Sequence, residues 1–309
     1  MNLKTALLAL SALVFCSCAD NYVSLGGYAQ GGVYSVKYNA KGVKVSRAEA
    51  QAAVDGILEA IDTTLSGYNR KSLLSRRNAG EDVPMNDMFR ELEAISEHYK
   101  ALTDGAFDVA AGPLFDIWGF GFTADSLPSD EAIAAARARC ERREVLNFNA
   151  IAQGYTCDKV ADYLHSIGVK DMLVDIGEIY CEGLNPKGKG WTIAIDTPAD
   201  GNNTPGASLA GIWHSDGGAY GVVTSGNYRK FYIKDGRKYA HTIDPRTGRP
   251  VEHNLLSATV IAPTATEADA LATFFMVIGF DDAREWVEGH DGIEACLITS
   301  DSTWTSENF

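Results

Sequence analysis

What most constrains the fold of this chain is the order in which its two hydrophobic periodicities occur. Helical spacing comes in groups. Ser46-Arg47-Ala48-Glu49 forms a capping box, and Ala50, Val54, Ile57, Leu58, Ile61 and Leu65 follow on one helical face. A second helix is predicted over Asp87 to Leu102, with Met88, Leu92, Ile95 and Tyr99 on one side and Asp104-Gly105 beyond its end. A third, rich in Ala, runs from Ser129 through Arg139, and a fourth from Ala152 to Ile167 stops at Gly168. Strand patterns then dominate. One strand opens the chain at residues 31–38; others are predicted at Met172 to Ile176, continuing extended over Glu178 to Glu182, then at Trp191 to Asp196, Tyr220 to Thr224, Lys230 to Lys234 and Lys238 to Thr242. Asp235-Gly236 is a two-residue hairpin signal between the last two. A strand over Ser257 to Ala262, helices over Thr266 to Ile278 and Asp281 to Glu288, and a strand over Ile293 to Thr299 complete the pattern. Strands joined by a hairpin, with helices grouped and not strictly alternating, favour a single α+β domain with mixed or antiparallel sheets over a doubly wound parallel sheet. The loop-like stretch Asp200 to Ala207 reads as an excursion between strands and not as a domain boundary.

The start of the chain follows other rules. Lys4 precedes a run of apolar and small residues from Ala6 to Phe15, then Cys16-Ser17-Cys18. About ten apolar residues are too few for a bilayer core, which takes roughly 20, so the run reads as a signal segment. Its end resembles a bacterial lipoprotein signal. Residues 1–17 are therefore expected to be removed, residues 18–309 to form the domain, and Cys18 to carry the lipid that anchors it on the periplasmic side of a bacterial membrane. The remaining cysteines, Cys140, Cys157, Cys181 and Cys296, are scattered without metal-ligand spacing and are expected as buried free thiols, with one bridge left open.

Charge narrows the partners. With 27 Lys+Arg against 41 Asp+Glu, the net charge is 27 − 41 = −14, which argues against nucleic acid, because phosphate contacts need clustered cations. A small phosphate-bearing ligand would need a metal ion or backbone N–H groups to offset its charge. Gly183 to Gly190 approaches a phosphate-binding loop, but Gly190 stands where Ser or Thr is required and a strand follows. The chain has no H-E-x-x-H and no G-x-S-x-G. Asp269 and Thr273, four apart near a helix start, offer two hard oxygens on one face, a set suited to Mg²⁺. Asn147 to Tyr155 joins a strand end to a helix start, where backbone amides can approach a ligand. His241 stands before a D-P-x-x-G turn formed by Asp244 to Gly248.

Taken singly, each of these segments is an ordinary capped turn or helix start; taken in order they resemble the ApbE family of flavin transferases. The resemblance is carried by AQGGVYSVKY at 29–38, SGYNRKSLLSRRN at 66–78, GAFDVAAGPLFDIWGFG at 105–121, NFNAIAQGY at 147–155, VDIGEIYCEG at 174–183, TSGNYRKF at 224–231, HTIDPRTGRPV at 241–251 and APTATEADALAT at 262–273. It implies a single domain of the family's T-fold type and an FAD:protein FMN transferase, which binds FAD and Mg²⁺ and joins FMN through a phosphoester to a Thr or Ser of a partner protein, releasing AMP. The partner implied is a subunit of a membrane redox complex. Position by position, Asp269, Thr273 and the backbone carbonyl of Ala150 would hold Mg²⁺. Asn147 and Gln153 would contact FAD beside it, Ala106, Phe107 and Asp108 would line the adenosine side, and Gln30, Tyr68 and Ile243 fall at flavin-nucleotide positions. His241 is the candidate general base, as a hypothesis of our own beyond the resemblance. Three positions depart from the usual family pattern, Asn147 for Asp, Gln153 for Lys and Gln30 for Met, each placing an amide that can still hydrogen-bond. Two other readings use the same site: a metal-dependent FAD pyrophosphatase yielding FMN and AMP, and a non-enzymatic FAD-binding lipoprotein.

Overall fold

The structure is a computed structural model that describes residues 21–120, 127–198, 208–227, 231–234 and 237–309. The expected signal segment with Cys18, the expected excursion at Asp200 to Ala207 and the expected turn at Asp235-Gly236 lie outside the described residues. The elements in chain order are β1 (Tyr22–Ala29), β2 (Gly32–Asn39), α1 (Arg47–Leu65), α2 (Leu73–Asn78), α3 (Asp87–Leu102), a 3-10 turn at Val109–Ala111, α4 (Gly112–Ile117), α5 (Asp130–Glu141) and α6 (Ala152–Ser166). Then come β3 (Met172–Asp175), β4 (Ile179–Glu182), β5 (Thr192–Asp196), β6 (Leu209–His214), β7 (Tyr220–Gly226), β8 (Phe231–Lys234), β9 (Arg237–Ala240), β10 (Ile243–Asp244), β11 (Arg249–Pro250), β12 (Leu255–Ala262), α7 (Ala265–Ile278), α8 (Phe280–Glu288), β13 (Glu294–Thr299) and β14 (Thr303–Thr305).

Local chemistry accounts for most boundaries. The Ser46 box caps α1 reciprocally with Glu49, Asn86 caps α3, Ser129 caps α5, and α6 ends where Gly168 takes φ 90°. Two strand readings change. The chain opens with a hairpin and not a lone strand, because Gln30 and Gly31 both adopt positive φ, 51° and 83°, and turn β1 back onto β2. Glu178 to Glu182 does not continue β3 either: Gly177, at φ 94°, reverses the chain and β4 pairs antiparallel with β3.

Eight strands form one sheet in the order β1-β2-β3-β4-β7-β12-β13-β14, every pairing antiparallel. Helices cover one face. There α1 and α6 pack on Tyr34, Val36 and Val174, and α7 and α8 pack on Val223, Val260 and Leu297. The β5–β6 hairpin covers the other face, where Trp191, Ile193 and Trp213 meet Cys181, Val222 and Ile261. Outside the first helical layer, Phe89 and Leu92 of α3 share a second apolar cluster with Phe107. Cys140, Cys157, Cys181 and Cys296 are all free and buried, as the scattered spacing predicted. Among the described residues no helix is long and apolar enough to cross a membrane.

Candidate active site

At one end of the sheet, α6 and α7 start side by side, and two glycines allow it. A Cβ on Gly221 of β7 would lie 2.3 Å from the backbone of Ala265, and one on Gly154 of α6 would lie 2.2 Å from the Ala265 carbonyl and 2.8 Å from Cβ of Asp269. The first turn of α7 therefore rests directly on a strand backbone and on the first turn of α6. In front of this junction is a cleft of about 360 Å³.

The cleft has four sides. From α7 come Asp269, Thr273, Met276 and Val277; from the loop before α6, Asn147, Asn149 and Ala150, with Gln153 from its first turn. The loop is braced by Asn147, whose N–H donates to the Val109 carbonyl at 2.7 Å and whose side-chain oxygen accepts from the Asn149 N–H at 3.0 Å. Ala106, Phe107 and Asp108 form a mainly apolar wall. Asp108 is tied into the framework, since its carboxylate accepts from the Ala110 N–H at 2.8 Å and pairs with Lys100 at 2.8 Å. The fourth side carries Glu178, the end of β7, and His241, Thr242 and Ile243. The turn after His241 forms as expected: Gly248 N–H donates to the Asp244 carbonyl at 2.8 Å, Gly248 takes φ 74°, and the Trp118 indole N–H donates to the Gly248 carbonyl at 2.8 Å. His241 is half-buried, edge-on to Phe120 at 6.3 Å between ring centroids. Tyr68 stands at the mouth with 68% of its surface exposed, its hydroxyl accepting from the Asn149 amide at 3.2 Å.

Every sequence-derived site residue on the described part of the chain lines this cleft except Gln30. Gln30 sits in the β1–β2 turn and donates its amide to the Thr156 hydroxyl at 2.6 Å, so it ties the hairpin tip to α6. Glu178 lines the cleft and was read from sequence only as part of a strand; its carboxylate accepts from the Thr224 N–H at 3.4 Å. The signal that could have marked it is the preceding Gly177, whose tight turn places Glu178 at a strand end. Gln153 donates to the Ile176 carbonyl at 3.3 Å, directly over Gly177, where a Cβ would lie 2.6 Å from its amide nitrogen.

Asp269 sets the electrostatics. It is buried, and its carboxylate accepts from the Gly154 N–H at 2.9 Å. Burial pushes its carboxyl up to about 7; the Gly154 N–H opposes that, and the nearby Asp158 carboxylate adds to it. A buried carboxylate with spare acceptor capacity is costly unless a cation arrives. No group of three or more His, Cys, Asp or Glu among the described residues could hold a metal ion, which speaks against a nitrogen- or sulfur-rich centre. Mg²⁺ is different: it takes one or two carboxylates, other hard oxygens, water and substrate phosphate. The Asp269 carboxylate, the Thr273 hydroxyl and the Ala150 carbonyl fit that donor set.

Fold and cleft together define an α+β ligand-binding protein in which hard oxygen donors stand beside apolar walls. Residues 30–297 match the ApbE family model, and the chain belongs to the ApbE family. It is 35% identical to the FAD:protein FMN transferase of Escherichia coli K12 over 291 residues, covering 85% of this chain and 81% of that one. Among solved structures, it is similar to the flavinyl transferase ApbE of Pseudomonas stutzeri (36% identity, TM-score 0.81, 93% of this chain and 95% of that one). It is also similar to the flavin transferase ApbE of Vibrio cholerae (32% identity, TM-score 0.78, 93% and 98%).

Proposed function

We propose that this protein is an Mg²⁺-dependent FAD:protein FMN transferase, which joins FMN from FAD to a Thr or Ser of a partner protein and releases AMP. The observation that carries the reading is the buried Asp269 carboxylate, which faces the same cleft as Thr273 and Ala150. These three residues would hold Mg²⁺, which when bound supplies positive charge for the pyrophosphate and the developing charge at phosphorus. The −14 net charge noted in the sequence makes that supply necessary, since Asp108, Glu178 and Asp269 line the cleft and no Lys or Arg does among the described residues.

The chain's own residues would divide the remaining work. Ala106 and Phe107 receive one end of the dinucleotide, and Tyr68 at the mouth offers an aromatic face. Asn147 and Gln153 hold the pyrophosphate side with amides. His241 takes the proton of the acceptor hydroxyl as its oxygen forms the bond to the FMN-side phosphorus; the bridging P–O bond breaks and AMP leaves with the bridging oxygen. The acceptor is proposed to belong to a membrane redox complex, and a lipid on Cys18 to hold the enzyme beside it on the periplasmic side of a bacterial membrane.

The test is incubation of the protein with FAD, Mg²⁺ and a candidate acceptor domain, reading AMP and gel-stable flavin on the acceptor. Both products are expected. AMP without labelled acceptor indicates an FAD pyrophosphatase, and bound FAD without AMP indicates a carrier. His241→Ala is expected to slow labelling about a hundredfold at saturating Mg²⁺.

A further inference from the structure

We infer that Asp158, which does not line the cleft, is a positioning residue for the cation site. This rests on the assignment of Mg²⁺ to Asp269, Thr273 and Ala150. The first turn of any helix leaves N–H groups without intrahelical partners. Here α6 and α7 complete each other. The Gly154 N–H of α6 donates to Asp269 of α7 at 2.9 Å, and the N–H groups of Ala265 and Thr266 of α7 donate to Asp158 of α6 at 2.9 and 2.8 Å. The Thr266 hydroxyl donates to Asp158 as well. The exchange is symmetric in sequence: on each helix the carboxylate lies four residues after the donor, Gly154 and Asp158 on α6, Ala265 and Asp269 on α7.

The consequence is geometric. Ala150 sits just before α6 and Asp269 and Thr273 sit on α7, so the proposed ligand set straddles two helices and needs their starts held in register. The side chain of Thr264, the local cap of α7, takes the Glu267 N–H at 3.1 Å, and the Thr264 carbonyl takes the Ala268 N–H at 3.1 Å. The two N–H groups of Ala265 and Thr266 are left to Asp158, which therefore fixes where α7 begins relative to the loop that presents Ala150. Asp158 is half-buried at the junction; desolvation there raises its carboxyl, and those donors oppose the rise.

The measurement is Mn²⁺ binding by calorimetry in the presence of FAD, on wild type, Asp158→Asn and Thr266→Val, alongside melting temperature and the Mg²⁺ dependence of AMP release. Asparagine can accept only at one atom and turns N–H groups toward the α7 donors. Asp158→Asn is expected to bind Mn²⁺ roughly tenfold more weakly, and Thr266→Val about threefold, as for groups that orient metal ligands from behind. The Mg²⁺ needed for half-maximal AMP release should rise in the same ratios, with much less change in the rate at saturation. Variants that melt lower yet bind Mn²⁺ as wild type does would reduce Asp158 to a plain helix cap and overturn the inference. Wild type that binds no Mn²⁺ would overturn the cation assignment itself. Should Asp158→Asn not fold, Thr266→Val decides.

Discussion

Two carboxylates, Asp158 half-buried and Asp269 buried, lie on neighbouring helices at the same junction and meet different fates. Asp158 on α6 accepts from two N–H groups and a hydroxyl of α7; Asp269 on α7 accepts from one N–H of α6. Burial lifts both carboxyls, and the one with fewer donors is lifted to about 7. The contrast separates two uses of one residue type. A carboxylate saturated by backbone donors fastens helices together, whereas one left short of partners at a cleft wall is poised to meet a cation.

That contrast can be broken by substitution. Asp269→Ala should lower AMP release on the order of a thousandfold, because the proposed cation would lose its one charged ligand; a rate within a few-fold of wild type would remove Asp269 from the site. Asp158→Ala should act on stability first, at a cost of about 3 kcal/mol in denaturant unfolding, since it strands two buried N–H groups and a hydroxyl. Gly154→Ala should cost roughly 2 kcal/mol, because its new methyl meets backbone atoms of α7 and not a flexible side chain. The Asp269 carboxyl also predicts a pH dependence. The folded Asp269 carboxyl, at about 7, sits above its ordinary 3.8, so its contribution to stability is full below 3.8 and lost as pH rises through about 7. Metal-free wild type should therefore fall behind Asp269→Asn in melting temperature as pH rises across this interval. The two should converge near its acid end, and Mg²⁺ should narrow the gap at high pH.

Long elements with explicit stop and start signals were legible from sequence. The Ser46 capping box, the Asp87 to Leu102 face and Gly168 each mark a boundary found in the structure. Short elements were not: α2 and α4 are six residues each, too brief for a periodicity to repeat. The β1 strand hid behind Gly26 and Gly27, residues that strands disfavour. The Asp269 and Thr273 pair was visible as a helix face, but its meaning came from the ordered set of motifs and then from burial. Asp158 gave no signal at all, because in Asp158-Lys159-Val160 it reads as an exposed polar position until α7 is laid across it. Gln30 shows the opposite case, a position matched by resemblance whose side chain the fold spends on Thr156.

The sheet order places β1 and β14 at opposite edges of eight strands. At a spacing of roughly 4.8 Å between strands, the chain's first and last strands stand about 34 Å apart. Many domains bring their ends close together, which is why they tolerate circular permutation. A permuted version of this chain would need a bridge of about ten extended residues to span its own width. Phe309 does not extend that span, because the chain folds back after β14 and packs Phe309 on Ile195, Cys296 and Ile298.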